Sequence, residues 1–204
     1  MGTKVLKEVN SPVNGKIRVI RSLGFGTYIQ VDNLTQSGGV VYVIWKETLK
    51  KIANSNFKIN DCLILGLGGG SVAKLVRKYW PKAKVIGVDI DPVIVELGKK
   101  YLDLKGIDIV IADAKDFVKK SKNKYDLIVV DTYLGDNYPS EFESSTFLNS
   151  VTKLLKVNGL IVFNRLYFDN KRSAAVKFGK KLEGIFSKVN YFYPQANLML
   201  ICKA

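Results

Sequence analysis

The chain has 204 residues, which is enough for one α/β domain with a small appendage and too short for two large domains. Lys and Arg number 32 against 18 Asp and Glu, which gives a formal net charge of +14, and histidine is absent. Without histidine, Ser-His and Cys-His catalysis are excluded and the commonest metal ligand is missing, so we predict no metal site.

The excess of positive charge favours anionic partners such as nucleic acid or an acidic protein surface. The alternative is that the lysines only solvate the outer faces of helices. Cys62 and Cys202 lie in apolar runs without a C-x-x-C partner, which is typical of reduced core residues. No N-terminal apolar stretch is long enough for a signal peptide or a membrane span. We therefore expect a cytoplasmic protein with no membrane association, and the lysine-rich composition suits a heat-adapted one.

The N-terminal part of the chain has the pattern of a small β meander. Residues 10–45 contain clustered β-branched and aromatic residues between Gly- and Asn-containing turn signals. A short helix is predicted at Lys46–Ala53, and a polar break follows at Asn54–Asn56. We therefore divide the chain into an N-terminal unit at 1–53 and a main domain at 54–204.

Strands and helices alternate through the main domain. Strands are predicted at about 62–66, 84–89, 107–111, 126–131 and 159–163, and helices at about 71–80, 93–102, 114–121, 142–155 and 171–186. Two last strands, at 189–193 and 198–202, are joined too closely for a parallel crossover and must pair antiparallel. A mostly parallel seven-stranded sheet ending in an antiparallel hairpin is the Rossmann-like fold of class I methyltransferases. We predict this α/β fold.

A glycine-rich turn between the first strand and helix of the main domain marks a nucleoside site. Gly66, Gly68, Gly69 and Gly70 follow an apolar strand and precede a helical pattern. Asp89 comes 19 residues after Gly70, at the end of the next strand, where a carboxylate can accept hydrogen bonds from both ribose hydroxyls. The alternative is that these glycines only end a strand. The downstream acid favours a nucleoside-bearing cofactor.

Two further acids lie at the ends of later strands. Asp113 can accept from an adenine amino group, or it can cap the following helix, or do both. Ile90 and Ala114, the neighbours of these acids, are placed in the same cofactor site. Asp131 ends the apolar strand before it and faces the centre of the expected crevice, where it can orient an amine and take its proton.

Three segments, Phe25–Asp32, Val88–Pro92 and Tyr125–Asp131, carry a resemblance to a known family. On these segments, and over about residues 10 to 165, the chain resembles the spermidine synthase family of aminopropyltransferases and its methyltransferase relatives. This resemblance implies a cofactor contact for Gln36, a catalytic role for Asp131, and a homodimer paired through the β meander.

Several positions depart from the family pattern. An aspartate of the family's glycine loop is replaced by Gly69, and a second acid three residues after the catalytic one is replaced by Leu134. Where the family has an acidic pair, this chain has Val41-Tyr42. Where the family has Tyr-His-Glu or Tyr-Gln-Glu, this chain has Trp45-Lys46-Glu47. Each change removes a contact that a dicationic amine would favour, and Lys46 adds a positive charge.

These departures lead to three hypotheses. The first is a methyltransferase that uses S-adenosylmethionine, with Asp131 orienting or deprotonating the acceptor and Tyr133, Asp136 and Tyr138 binding it. The second is a divergent polyamine aminopropyltransferase that uses decarboxylated S-adenosylmethionine, with Asp136 replacing the missing acid. The third is a non-catalytic basic protein on the same fold. Of the three, we favour methyl transfer on the sequence alone.

Overall fold

A computed structural model describes residues 2–203 as two β-sheets joined by a helix. The N-terminal sheet is antiparallel, with four strands in the order β1-β2-β3-β4. They are β1 (Thr3–Ser11), β2 (Gly15–Ser22), β3 (Gly26–Val31) and β4 (Leu34–Gly38), and helix α1 (Gly39–Ala53) follows. The predicted division at residue 53 stays a prediction, and its outer ends, residues 1 and 204, lie outside the described part of the chain.

The second sheet has seven strands in the order β10-β11-β9-β8-β5-β6-β7. They are β5 (Asp61–Leu65), β6 (Lys84–Asp89), β7 (Asp108–Ile111), β8 (Tyr125–Val130), β9 (Leu155–Leu166), β10 (Lys188–Phe192) and β11 (Asn197–Lys203). Strands β5 to β9 pair in parallel, whereas β11 is antiparallel to both β9 and β10. The predicted fold is confirmed.

Helices cover both faces of this sheet because the buried strands are apolar on both sides. They are α2 (Ser71–Tyr79), α3 (Pro92–Tyr101), α4 (Ala114–Lys120), α5 (Ser145–Thr152) and α6 (Lys171–Glu183). Along β5, Cys62 and Ile64 pack towards α1, α2 and α3, while Leu63 and Leu65 pack towards α4, α5 and α6. From β5 the chain builds the sheet outward through β6 and β7, and it then returns to add β8 on the other side of β5. This reversal opens a crevice at the carboxyl ends of β5 and β8.

Several element boundaries differ from the sequence predictions: β1 begins at Thr3, ahead of the meander predicted from residue 10, and β9, predicted at 159–163, spans Leu155–Leu166. Residues 40–45, predicted as β, form the first turns of α1, because Ile44, Trp45 and Leu49 share one helical face that is buried. The helix predicted at 142–155 is a 3₁₀ turn (Ser140–Glu143) followed by the shorter α5. Ser144 breaks the helix there because its backbone is extended and its hydroxyl caps α5.

Asp91 joins the N-terminal sheet to the main sheet. Its side chain is fully buried, and its Oδ2 accepts hydrogen bonds from Ser11 Oγ and Asn14 Nδ2, both at 2.6 Å. Its Oδ1 accepts from the Val93 backbone N–H at 2.8 Å and so caps α3. Cys62 and Cys202 are free and buried. Within residues 2–203, no helix has the length and apolar character needed to cross a membrane.

Candidate active site

A cavity of about 450 Å³ lies along the carboxyl edge of the parallel strands. Its wall is formed by the loops after β5 to β8, the ends of β9 and β11, and residues of β4 and α1. Most of the residues proposed from the sequence line it: Gln36, Gly66, Gly68, Asp89, Ile90, Asp113, Ala114, Asp131 and Tyr133.

The glycine loop lets the backbone pass close to the end of β8. Gly66 has φ 86°, and a Cβ there would lie 2.2 Å from the carbonyl oxygen of Asp131, so no other residue fits. Gly68 lines the cavity and donates its N–H to Asp89 Oδ2 at 2.6 Å. The loop therefore presents backbone, without side chains, at these two positions.

Gly69 and Gly70 shape this loop from behind and do not line the cavity. The Gly69 N–H donates to Ser37 Oγ at 2.7 Å, and a Cβ on Gly69 would lie 2.7 Å from Ile29 Cδ1. Gly70 begins α2 in a left-handed conformation with φ 89°. The structure thus gives both glycines a packing role, and their contact with a cofactor stays a prediction.

Asp89 is held in place before any ligand binds. Its carboxylate accepts from the backbone N–H groups of Gly68, at 2.6 Å, and Asp91, at 2.9 Å. Burial raises the pKa of Asp89, and these two hydrogen bonds oppose the rise because they stabilise the charged form. The result is a fixed acceptor beside the glycine loop.

Asp113 caps α4, which is one of the two roles predicted for it from the sequence. Its Oδ1 accepts from the Lys115 N–H at 2.7 Å, and the Lys115 ammonium lies 3.7 Å from Oδ2. Lys115 also pairs with Glu141 at 2.8 Å, and Glu141 lines the cavity. The predicted adenine contact of Asp113 is compatible with this arrangement and stays a prediction.

Asp131 lines the cavity and accepts two side-chain hydrogen bonds. Trp45 Nε1 donates to Oδ2 at 2.8 Å, and Asn164 Nδ2 donates to Oδ1 at 2.7 Å. Asn197 Nδ2 in turn donates to Asn164 Oδ1 at 2.7 Å and fixes the orientation of that amide. Burial raises the pKa of Asp131 to about 6, although both hydrogen bonds favour the charged form.

The sequence prediction missed the three residues that hold Asp131. A signal existed for Asn164, which interrupts the buried apolar run of β9, and a weaker one for Asn197 at the start of β11. Trp45 was noted only as a departure from the family pattern. Its indole N–H makes it a partner of Asp131 across 86 residues of sequence.

The loop after β8 separates the predicted acceptor residues. Tyr133 lines the cavity, and its hydroxyl accepts from the Leu166 N–H at 2.7 Å. Asp136 points away from the cavity, has 65% of its side chain exposed, and pairs with Lys171 at 3.0 Å. Tyr138 packs behind the wall, edge-on to Tyr133 and under the Arg165 guanidinium at 3.9 Å. Asp136 therefore does not supply the missing acid in this structure.

Gln36 holds the tip of this loop. Its Nε2 donates a hydrogen bond to the Gly135 carbonyl oxygen at 3.0 Å. This bond uses one of the two amide N–H groups with which Gln36 could donate to a cofactor. Leu134 and Asn137 exchange two backbone hydrogen bonds of 3.0 Å around Gly135. In the part of the chain that the structure describes, no group of three or more His, Cys, Asp or Glu side chains is arranged to hold a metal ion.

The fold and the site define an α/β protein with a cavity at the switch point of a mostly parallel sheet. Residues 43–196 match the family model described as the spermine/spermidine synthase domain. The chain belongs to this family, and the resemblance seen in the sequence is confirmed.

Several curated relatives that cover most of the chain are named polyamine aminopropyltransferases. The polyamine aminopropyltransferase of Clostridium botulinum (strain Eklund 17B / Type B) is 26% identical over 190 residues, which cover 87% of this chain and 66% of the relative. The polyamine aminopropyltransferase of Clostridioides difficile (strain 630) is 27% identical over 182 residues, which cover 84% of this chain and 64% of the relative. A relative from Bifidobacterium longum (strain NCC 2705) is 31% identical over 133 residues. The match covers 64% of this chain but only 30% of that relative.

Solved structures share the fold. The spermidine synthase of Thermotoga maritima superposes with a TM-score of 0.80 at 19% identity and covers 98% of this chain and 72% of that protein. Human methyltransferase-like protein 13 superposes with a TM-score of 0.62 at 21% identity and covers 80% of this chain and 78% of that protein. At these identities the likeness shows the fold alone.

The expectation of methyl transfer is wrong. It rested on missing carboxylates, yet the relatives that cover most of this chain are named polyamine aminopropyltransferases, including one of Aquifex aeolicus. A relative named eEF1A lysine and N-terminal methyltransferase homolog, of Drosophila melanogaster, covers 51% of this chain. Loss of single acids did not distinguish the two reactions because both use the same fold and crevice.

Proposed function

We propose that this protein transfers an aminopropyl group from decarboxylated S-adenosylmethionine to an amine. The observation that carries the proposal is the half-buried Asp131 carboxylate, which lines the cavity and is fixed by Trp45 and Asn164. The names of the relatives support the same reaction.

The residues present suit a cationic donor. The Gly66–Gly68 backbone leaves room for the nucleoside, with Asp89 for the ribose and Asp113 for the adenine. A half-buried carboxylate in the cavity wall would repel a donor that carries its own carboxylate, whereas it attracts a donor that ends in an ammonium group. This charge pattern favours the decarboxylated form of the cofactor.

In the proposed reaction, the donor supplies a carbon bonded to a sulfonium sulfur. The acceptor nitrogen forms a bond to this carbon as the carbon–sulfur bond breaks, and methylthioadenosine leaves with the bonding electrons. An acceptor that arrives as an ammonium must lose a proton before its nitrogen has a lone pair for attack. Asp131 orients this nitrogen by accepting a hydrogen bond from its N–H and takes that proton, and the neutral amine then attacks. With a pKa of about 6, the Asp131 carboxylate is ionised at neutral pH. This pKa is close enough to neutral pH for the carboxylate to accept the proton.

Asp131→Asn tests the proposal. We expect the rate of methylthioadenosine release from decarboxylated S-adenosylmethionine and an amine to fall by about 10²- to 10⁴-fold, the usual effect of losing a general base. The donor should still raise the melting temperature of the variant, because Asp89 and the glycine loop are unchanged.

The matched control is Asp136→Asn, which changes an acid five residues away that lies outside the cavity and pairs with Lys171. This variant should keep the wild-type rate. Full activity of Asp131→Asn, or no methylthioadenosine from the wild-type protein with any amine, would contradict the proposal.

A further inference from the structure

Asp131 divides the cavity into two halves of different chemistry. On one side, the ends of β5, β6 and β7 carry the glycine loop, Asp89 and Asp113. On the other side, the ends of β9 and β11 face α1 and the loop after β8. At this second side, the acceptor half, the cavity lining after β8 and at the ends of β9 and β11 includes the apolar residues Leu134, Leu166, Phe168 and Ala196 and the polar residues Tyr133, Asn164 and Asn197. Val40 and Val41 of α1, the helix that brings Trp45 to Asp131, also line the cavity.

Among the described residues, the acceptor half holds a single carboxylate, that of Asp131. Among the described residues that line the cavity, the other carboxylates are Asp89, Asp113 and Glu141. Asp89 and Asp113 end β6 and β7, and Glu141 joins Asp113 through Lys115, so all three belong to the nucleoside half. Only Asp131 is left to meet a positive charge on the acceptor side.

Two acids near the mouth do not change this count. Asp136 is turned outward to Lys171. Asp32 lies near the loop tip, with its Oδ2 3.9 Å from where a Cβ on Gly135 would be, but it is exposed and does not line the cavity. A second ammonium on the acceptor would thus face Val41, Leu134 and their apolar neighbours.

Leu134 makes this wall unusually apolar at its mouth. Leu134 is 42% exposed, although it is a large hydrophobic residue. Val41 lies one helical turn before Trp45, on the face of α1 that reaches Asp131. An alkyl chain entering beside Asp131 would cover both side chains and remove apolar surface from water.

We propose that the preferred acceptor is a primary amine with one positive charge and an apolar tail, rather than a diamine charged at both ends. This inference rests on the proposed function and specifies its substrate class. The ammonium head binds Asp131 and transfers a proton to it before the nitrogen attacks, and the tail lies against the apolar wall. A diamine of the same length loses the hydration of its second charge without gaining a partner.

The test compares acceptors of equal length with decarboxylated S-adenosylmethionine as donor. We expect kcat/KM for n-butylamine to exceed that for 1,4-diaminobutane by about tenfold or more, which is the cost of one unpaired charge-assisted hydrogen bond. Lengthening the monoamine to n-hexylamine should raise kcat/KM by about two- to fourfold per added methylene.

Leu134→Asp tests the residue basis of this preference. The variant places a carboxylate at the mouth and should raise kcat/KM for 1,4-diaminobutane by about tenfold while lowering it for n-hexylamine. Leu134→Asn separates the effect of charge from that of the lost apolar surface, because it should lower the n-hexylamine rate without helping the diamine. Leu23→Asp is the matched control, since Leu23 is 87% exposed and lies outside the cavity.

The outcomes separate the two proposals. A wild-type preference for the diamine, or an unchanged diamine rate in Leu134→Asp, would overturn the inference, while Asp131-dependent release of methylthioadenosine would leave the proposed function standing. Absence of any aminopropylated product from both amine series, measured by mass spectrometry, would overturn the proposed function and with it the inference.

Discussion

The Asp131 carboxylate is half-buried in the cavity wall, and its desolvation and its two hydrogen bonds have opposite effects on its charge. Burial disfavours the carboxylate, whereas Trp45 and Asn164 stabilise it, and the pKa remains raised at about 6. A raised pKa means that the group still holds a proton in the weakly acidic range where a free aspartate has lost it. Activity that needs the carboxylate should therefore rise with pH through about 6.

The Trp45→Phe substitution should shift the pH at which kcat/KM rises, which is the acidic limb of the pH profile. Because the indole N–H stabilises only the charged form, its removal raises the pKa of Asp131 further, and the rise of kcat/KM should shift to higher pH by about half a unit to one unit. Trp80→Phe is the matched control: the Trp80 indole donates to the Phe57 carbonyl oxygen at 2.9 Å, away from the cavity. A limb that stays in place or moves to lower pH in Trp45→Phe would show that this hydrogen bond does not set the titration.

At the level of elements, the sequence pattern predicted the buried sheet well. The parallel strands are continuous apolar runs bounded by turn residues, so each was placed within two residues except β9, which begins at Leu155 and continues to Leu166. Asp89 and Asp131 could be predicted because each directly follows such a run.

Helix α1 and the partners of Asp131 could not be found in the same way. The Val40–Trp45 run is rich in β-branched residues and suits a strand locally, but packing against α2 and the sheet makes it helical. Trp45 and Asn164 are 86 and 33 residues from Asp131 in sequence. Their meeting depends on how α1 and β9 pack, which no local pattern encodes.

Helix α3 supports the glycine loop by direct backbone contact. A Cβ on Gly98 would lie 2.6 Å from Gly69 Cα, which is closer than any side chain can approach without movement. Gly98→Ala should therefore push the loop towards the cavity, lower the free energy of unfolding by about 1–3 kcal/mol, and weaken donor binding.

Denaturant unfolding and calorimetric titration with decarboxylated S-adenosylmethionine would measure these two effects. Gly184→Ala provides the control, because Gly184 ends α6 and a Cβ there meets only an ordinary contact at 3.5 Å. Unchanged donor affinity in Gly98→Ala would mean that the loop position is not set by α3.

For the whole molecule, the dominant feature is a net charge of +14 around a cavity lined by four carboxylates. These two charge distributions act over different distances. The net charge repels a cationic amine at long range, whereas Asp131 attracts it only once it has entered. Salt screens the long-range part first, because the Debye length falls from about 30 Å at 0.01 M to about 8 Å at 0.15 M ionic strength.

We therefore expect kcat/KM for amine acceptors to rise with ionic strength, contrary to the usual behaviour of oppositely charged partners. The rise should be steeper for 1,4-diaminobutane than for n-butylamine, since a doubly charged molecule is repelled twice as strongly in the same potential. Measuring both rates between 0.02 M and 0.3 M salt at fixed pH tests this expectation. Rates that fall with salt would mean that the cavity carboxylates control the approach of the acceptor and that the surrounding lysines are too far from its path to matter.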